Sequence, residues 1–117
     1  MEHYTRAIQA SPKNAEDAAS HSFGLAALYS NRCAARLQLG DQLMALADAH
    51  VAVELAPTWP KGYFRKGCCL RELGNLEEAA LAFGAGRKLE PENKDWEKEL
   101  EKIDKLLLSM SACQAQD

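Results

Sequence analysis

The chain has 117 residues, 47% of them hydrophobic and 26% charged, with a net charge of −3. That is one domain's length with enough apolar material for a core. The acidic balance excludes the basic excess of a phosphate binder, and the densest cationic group, Lys61, Arg65, Lys66 and Arg71, is too small for a nucleic-acid surface.

The N-terminus, Met1 to Arg6, carries no basic stretch followed by an apolar run, and no apolar segment approaches bilayer length. The expected location is cytoplasmic or nuclear, with no membrane partner. Cys33, Cys68, Cys69 and Cys113 are irregularly spaced and lack a Cys-x-x-Cys. His3, His21 and His50 stand at no ligand spacing to them. Reduced, packed thiols and no metal or cofactor are expected.

In chain order, Tyr4, Ala7 and Pro12 share the mutual spacing of Ala49, Ala52 and Pro57, and of Phe83, Gly86 and Pro91. Residues 1–13 therefore read as the second helix of an incomplete first repeat. Its uncovered apolar face offers a route to self-association. Residues 14–25 carry an insertion rich in Ala and acids. Asn14 can cap it, and Glu16 and Asp17 suit a first turn, so it extends the following helix toward Leu39; Gly24 is its weak point.

Residues 26–59 form the next unit. Leu28, Tyr29, Cys33, Leu37 and Leu39 precede a turn at Gly40-Asp41, and Leu46, Ala49, Ala52, Val53 and Leu55 precede Pro57. Residues 60–93 repeat the plan. A helix starts at Pro60 and ends at Leu73 before Gly74; a second runs from Leu76 to Leu89 with Ala79, Ala80, Phe83 and Leu89 on or near its apolar face. Gly40 and Gly74, Ala45 and Ala79, and Pro57 and Pro91 are each 34 residues apart. That interval is a helical-hairpin repeat period, and Ala45 and Ala79 mark close helix approach.

From 94 to 109, Trp96, Leu100, Ile103 and Leu107 make one apolar stripe among Lys and Glu, the pattern of a capping helix. Residues 110–117 are expected to be a disordered tail. The fold class is all-α: a superhelix of helical hairpins closed by a C-terminal cap.

Two strings are more particular than the repeat pattern: Leu28-Tyr29-Ser30-Asn31-Arg32-Cys33-Ala34-Ala35 and Lys61-Gly62-Tyr63-Phe64-Arg65-Lys66-Gly67. Over about residues 1–105 they resemble the tetratricopeptide (TPR) domains of chaperone co-factors, such as the Hsp70/Hsp90 organising protein and the protein-phosphatase-5 type. The resemblance implies an adaptor whose concave groove holds the acidic Glu-Glu-Val-Asp tails of Hsp70 or Hsp90 in a carboxylate clamp. It places the clamp donors on Asn31, Lys61 and Arg65. Further groove contacts are expected from Ala34, Phe64 and Cys68.

The spacing agrees with that assignment. Lys61 and Arg65 are i, i+4 on one helix, and Asn31 stands 34 residues before Arg65 on the neighbouring one. The family's clamp also draws a lysine and an asparagine from the first helix of the first repeat. No residue here matches them, so a partial clamp with weak tail binding is expected.

Read by themselves, Lys61 and Arg65 also fit a solvated helix face, and Asn31 an ordinary surface residue. A second function class stays open: a structural scaffold that packs on a folded partner, its clamp vestigial. An enzyme is not expected, because the sequence offers no paired carboxylates, Ser/His/Asp set, phosphate loop or metal cluster.

Overall fold

The computed structural model describes the backbone of residues 15–115 and the side chains of residues 21–110. The incomplete repeat expected over 1–13, with the self-association it suggested, lies outside the described residues. Among the described residues five helices follow in order: α1 Ala15–Gln38, α2 Gln42–Leu55, α3 Pro60–Glu72, α4 Leu76–Leu89 and α5 Asp95–Ala115. Helices α1 and α2 pair as one antiparallel hairpin and α3 and α4 as the next; α3 packs on the first hairpin and α5 on α4.

The two hairpin turns are built alike, and glycine is the reason. Gly40 and Gly74 sit at φ +82 and +85, a region that a side chain disfavours. That conformation lets the N–H of Asp41 reach the carbonyl of Arg36 at 2.9 Å and the N–H of Asn75 reach that of Leu70 at 2.9 Å. The glycine N–H groups bond Leu37 and Arg71 at 3.1 and 3.0 Å. Two carbonyls at each helix end are thereby satisfied before the chain reverses.

The hairpin interfaces differ in chemistry. Between α1 and α2 lie Ala26, Cys33, Ala45, Ala49 and Ala52, all fully buried and all small, so the backbones come close. The second hairpin is filled by Leu70, Leu76, Phe83, Trp96 and Ile103. The α5 stripe supplies Trp96 and Ile103 to that core, with Leu100 and Leu107 half-buried beside them, while Lys98, Glu101, Lys102 and Asp104 face water.

Three expectations are corrected. Leu39 is 79% exposed because α1 stops at Gln38 and the chain turns away at Gly40, and Leu89, the last residue of α4, is also exposed. The cap does not stop at 109. It continues to Ala115 where a disordered 110–117 was expected, because Ser109 to Ala115 contains no Gly or Pro to halt propagation.

Helix α1 runs unbroken through Gly24, and a Cβ built on Gly24 would meet nothing within 4 Å. Gly24→Ala should therefore raise the urea-unfolding free energy by about 0.5–1 kcal/mol, purely from backbone entropy. A loss instead would show that α1 is not helical there in solution.

Candidate functional site

Helix α3 packs on α1 and is tied to α5 through Arg71 and Glu99, so the three lie side by side. Asn31 is exposed on α1 and Ala34, one turn on, is half-buried. Arg65 is half-buried on α3 and reaches across to α1, where its Nε donates to the Oγ of Ser30 at 3.4 Å. Ser30 is fully buried and precedes Asn31 in the chain. The Arg65 guanidinium is thus brought to the α1 turn that carries Asn31.

Lys61, one turn nearer the start of α3, is exposed and does not touch α1 by any hydrogen bond among the described residues. It borders a hollow of about 380 Å³ between the start of α3 and the α4–α5 turn, walled by Trp59, Phe64 and Trp96 and edged by Glu90 and Asp95. Phe64 is held there by two aromatic neighbours, Trp96 at 6.1 Å edge-on and Phe83 at 6.0 Å tilted. Neither Lys61 nor Arg65 forms an ion pair with another described residue.

Cys68 is half-buried on α3, and burial pushes its thiol up despite the nearby cations Arg71 and Arg65. It is therefore a poor nucleophile. Beyond it Arg71 pairs with Glu99 of α5, tying α3 to α5. Burial works against the Glu99 charge, but Arg71 and Lys102 outweigh it and hold that carboxyl below the usual range. Among the described residues no group of three or more His, Cys, Asp or Glu could hold a metal ion. No helix there is long and apolar enough to cross a membrane.

Tyr29, Tyr63 and Phe83 differ in burial. Phe83 is fully buried. Tyr63 is half-buried and its hydroxyl donates to the Pro57 carbonyl at 2.8 Å, and Tyr29 lies half-buried under the Arg32 guanidinium at 5.1 Å.

Three features escaped sequence reasoning. Ser30 stands in the motif string with no role of its own, yet its hydroxyl is fully buried and takes the bond from Arg65. The aromatic hollow combines three separate segments. The Arg71–Glu99 pair joins residues 28 apart, for which no periodicity gives a signal.

A family model for the tetratricopeptide repeat matches residues 60–93. A Dictyostelium discoideum protein named Protein STIP1 homolog is 47% identical over 74 residues, 63% of this chain, and the chain spans 13% of that protein's length. The second TPR domain of human RPAP3, solved in complex with the HSP70 peptide SGPTIEEVD, is 31% identical with a TM-score of 0.64, covering 88% of this chain and 82% of that one. The first TPR of Spaghetti (RPAP3), solved bound to the HSP90 peptide SRMEEVD, is 29% identical with a TM-score of 0.68, covering 80% of this chain and 81% of that one.

Proposed function

The chain belongs to the tetratricopeptide-repeat family, and from that premise we propose that it is a non-catalytic adaptor whose inner groove binds the acidic C-terminal tail of an Hsp70- or Hsp90-type chaperone. Asn31, Lys61 and Arg65 are the anion-binding donors; Ala34, Phe64 and Cys68 supply the adjoining wall. The observation that carries the reading is the position of Arg65. Its Nε is bonded to Ser30, beside Asn31, and the rest of the guanidinium keeps its donors for a ligand.

A terminal aspartate offers two carboxylates within one residue, which suits a point charge on Lys61, a planar fork on Arg65 and a neutral donor on Asn31. A third cation in place of Asn31 would be repelled by the other two. The tails of the two solved RPAP3 complexes, SGPTIEEVD and SRMEEVD, both end in such a residue.

Hydrogen bonds to a charged group are worth about 1.5–3 kcal/mol each, so losing one changes affinity by roughly tenfold or more. Titrating a Met-Glu-Glu-Val-Asp-type peptide should show saturable binding that weakens at least about tenfold in Lys61→Ala and in Arg65→Ala. Amidating the peptide C-terminus should do the same, and added salt should lower the affinity. Binding left unchanged by both substitutions would remove the clamp and favour the scaffold function.

A further inference from the structure

Beneath the proposed clamp, α1 and α3 touch through two thiols. Cys33 follows Ser30 by three residues and Cys69 follows Arg65 by four, so the sulfur contact lies one helical turn from the Ser30–Arg65 bond. Both cysteines are free and fully buried, and their Sγ atoms are 3.4 Å apart. A disulfide bond is about 2.05 Å long, so the sulfurs need to close by roughly 1.4 Å. The two helices that carry them are already in contact.

We propose that Cys33 and Cys69 are a modification site, a staple between α1 and α3 that a peroxide or a small-molecule disulfide closes oxidatively, fixing the spacing of the two groove walls. With a peroxide, the Cys33 sulfur attacks one oxygen and the O–O bond breaks. The departing hydroxide takes up the thiol proton as water, leaving a sulfenic acid on Cys33. The Cys69 sulfur then attacks the Cys33 sulfur, the S–O bond breaks, and the hydroxyl leaves with the Cys69 proton as a second water. Two thiols lose two electrons, the peroxide gains two, and no other reactant enters.

The surroundings favour Cys33 as the attacking partner. Its hydrogen bond with Cys69 pulls its pKa down against the effect of burial, and Arg65 adds to that pull, whereas the same bond and burial push Cys69 up. Cys68 does not share the contact, since consecutive helical residues point roughly 100° apart. Both sulfurs are sealed from water, so oxidation proceeds only as fast as α1 and α3 part. The effect on binding rests on the clamp reading: walls that cannot splay present Asn31 and Arg65 already in place, so the tail binds tighter.

The test uses the full chain carrying Cys113→Ser, exposed to hydrogen peroxide or oxidised glutathione, then alkylated, digested and mapped by mass spectrometry. The expected product is a Cys33–Cys69 peptide pair lighter by two hydrogens, restored by dithiothreitol, with Cys68 alkylated and the thermal midpoint raised. Cys68→Ser should leave that product unchanged. A cross-link running only through Cys68, or Cys33 and Cys69 both alkylated after exposure that oxidises Cys68, overturns the staple. The oxidised chain should bind the acidic tail peptide at least about threefold tighter than the reduced one. Equal or weaker binding overturns the effect on the groove while the mapping decides the staple by itself. No binding by either form overturns the clamp reading and the groove effect together.

Discussion

Asp48→Ala should cost the fold about 3 kcal/mol of urea-unfolding free energy, at the low end of the range for orphaning a buried charge. Asp48 is buried on α2 and each of its oxygens is engaged. Oδ1 accepts from Nη2 of Arg32 at 2.8 Å, and Oδ2 accepts from Nε of Arg32 at 3.0 Å and Nη1 of Arg36 at 3.1 Å. Removing the carboxylate leaves two guanidiniums facing each other with no acceptor between them. They are 15% and 17% exposed, so they can turn partly to water, which is why the low end applies. Arg36→Met should cost less, since the two-point contact of Arg32 survives. Replacing all three residues with apolar ones of similar size should come close to neutral, because the desolvation cost then vanishes with the charges. Added salt should change the Asp48→Ala loss little, the pair being shielded from ions. A loss below about 1 kcal/mol would mean that water reaches the pair and that it behaves as a surface bridge.

The architecture was legible because the repeat writes the same physical demand twice. A turn that reverses two helices needs a left-handed residue, hence Gly40 and Gly74, and a close helix approach needs a small one, hence Ala45 and Ala79. Asp48 was legible too, had the apolar period been taken strictly. It stands within the buried Ala45, Ala49 and Ala52 stripe, where an ionised group must have a partner, and Arg32 and Arg36 are i, i+4 on the facing helix. The far end of α5 carries no apolar stripe to announce it, yet an existing helix propagates through Met110, Ala112 and Gln114 at little cost. The candidate clamp was visible only through the two motif strings. Taken alone, an exposed lysine or asparagine on a helix carries no signal, and the contacts that place Arg65 and Cys33 span 35 and 36 residues, close to the repeat interval but invisible until the helices are stacked.

Trp96→Ala should destabilise the fold by about 3–5 kcal/mol, and Gly86→Ala, on the opposite side of the same contact, by about 1–3 kcal/mol. The indole of Trp96 lies directly on Gly86, so a methyl added there would fall inside contact distance of its six-membered ring. Although the ring also borders the hollow, three partners hold it on Gly86. Its Nε1 donates to Glu90 at 3.0 Å, and Phe64 and Phe83 stand at 6.1 and 6.3 Å. The double variant decides whether the contact is the cause. Once Trp96 is alanine the added methyl meets a cavity, and Gly86→Ala should then raise stability by up to about 1 kcal/mol from helix propensity. Gly84, two residues away in the same helix with nothing within 4 Å of a built Cβ, provides the control: Gly84→Ala should stabilise in both backgrounds. Gly67 repeats the arrangement one layer inward, its Cβ falling 2.5 Å from Cε1 of Phe83, so Gly67→Ala should also destabilise. If Gly86→Ala proves equally costly with and without Trp96, the penalty belongs to the α4 backbone and α5 is not seated on α4 through this ring.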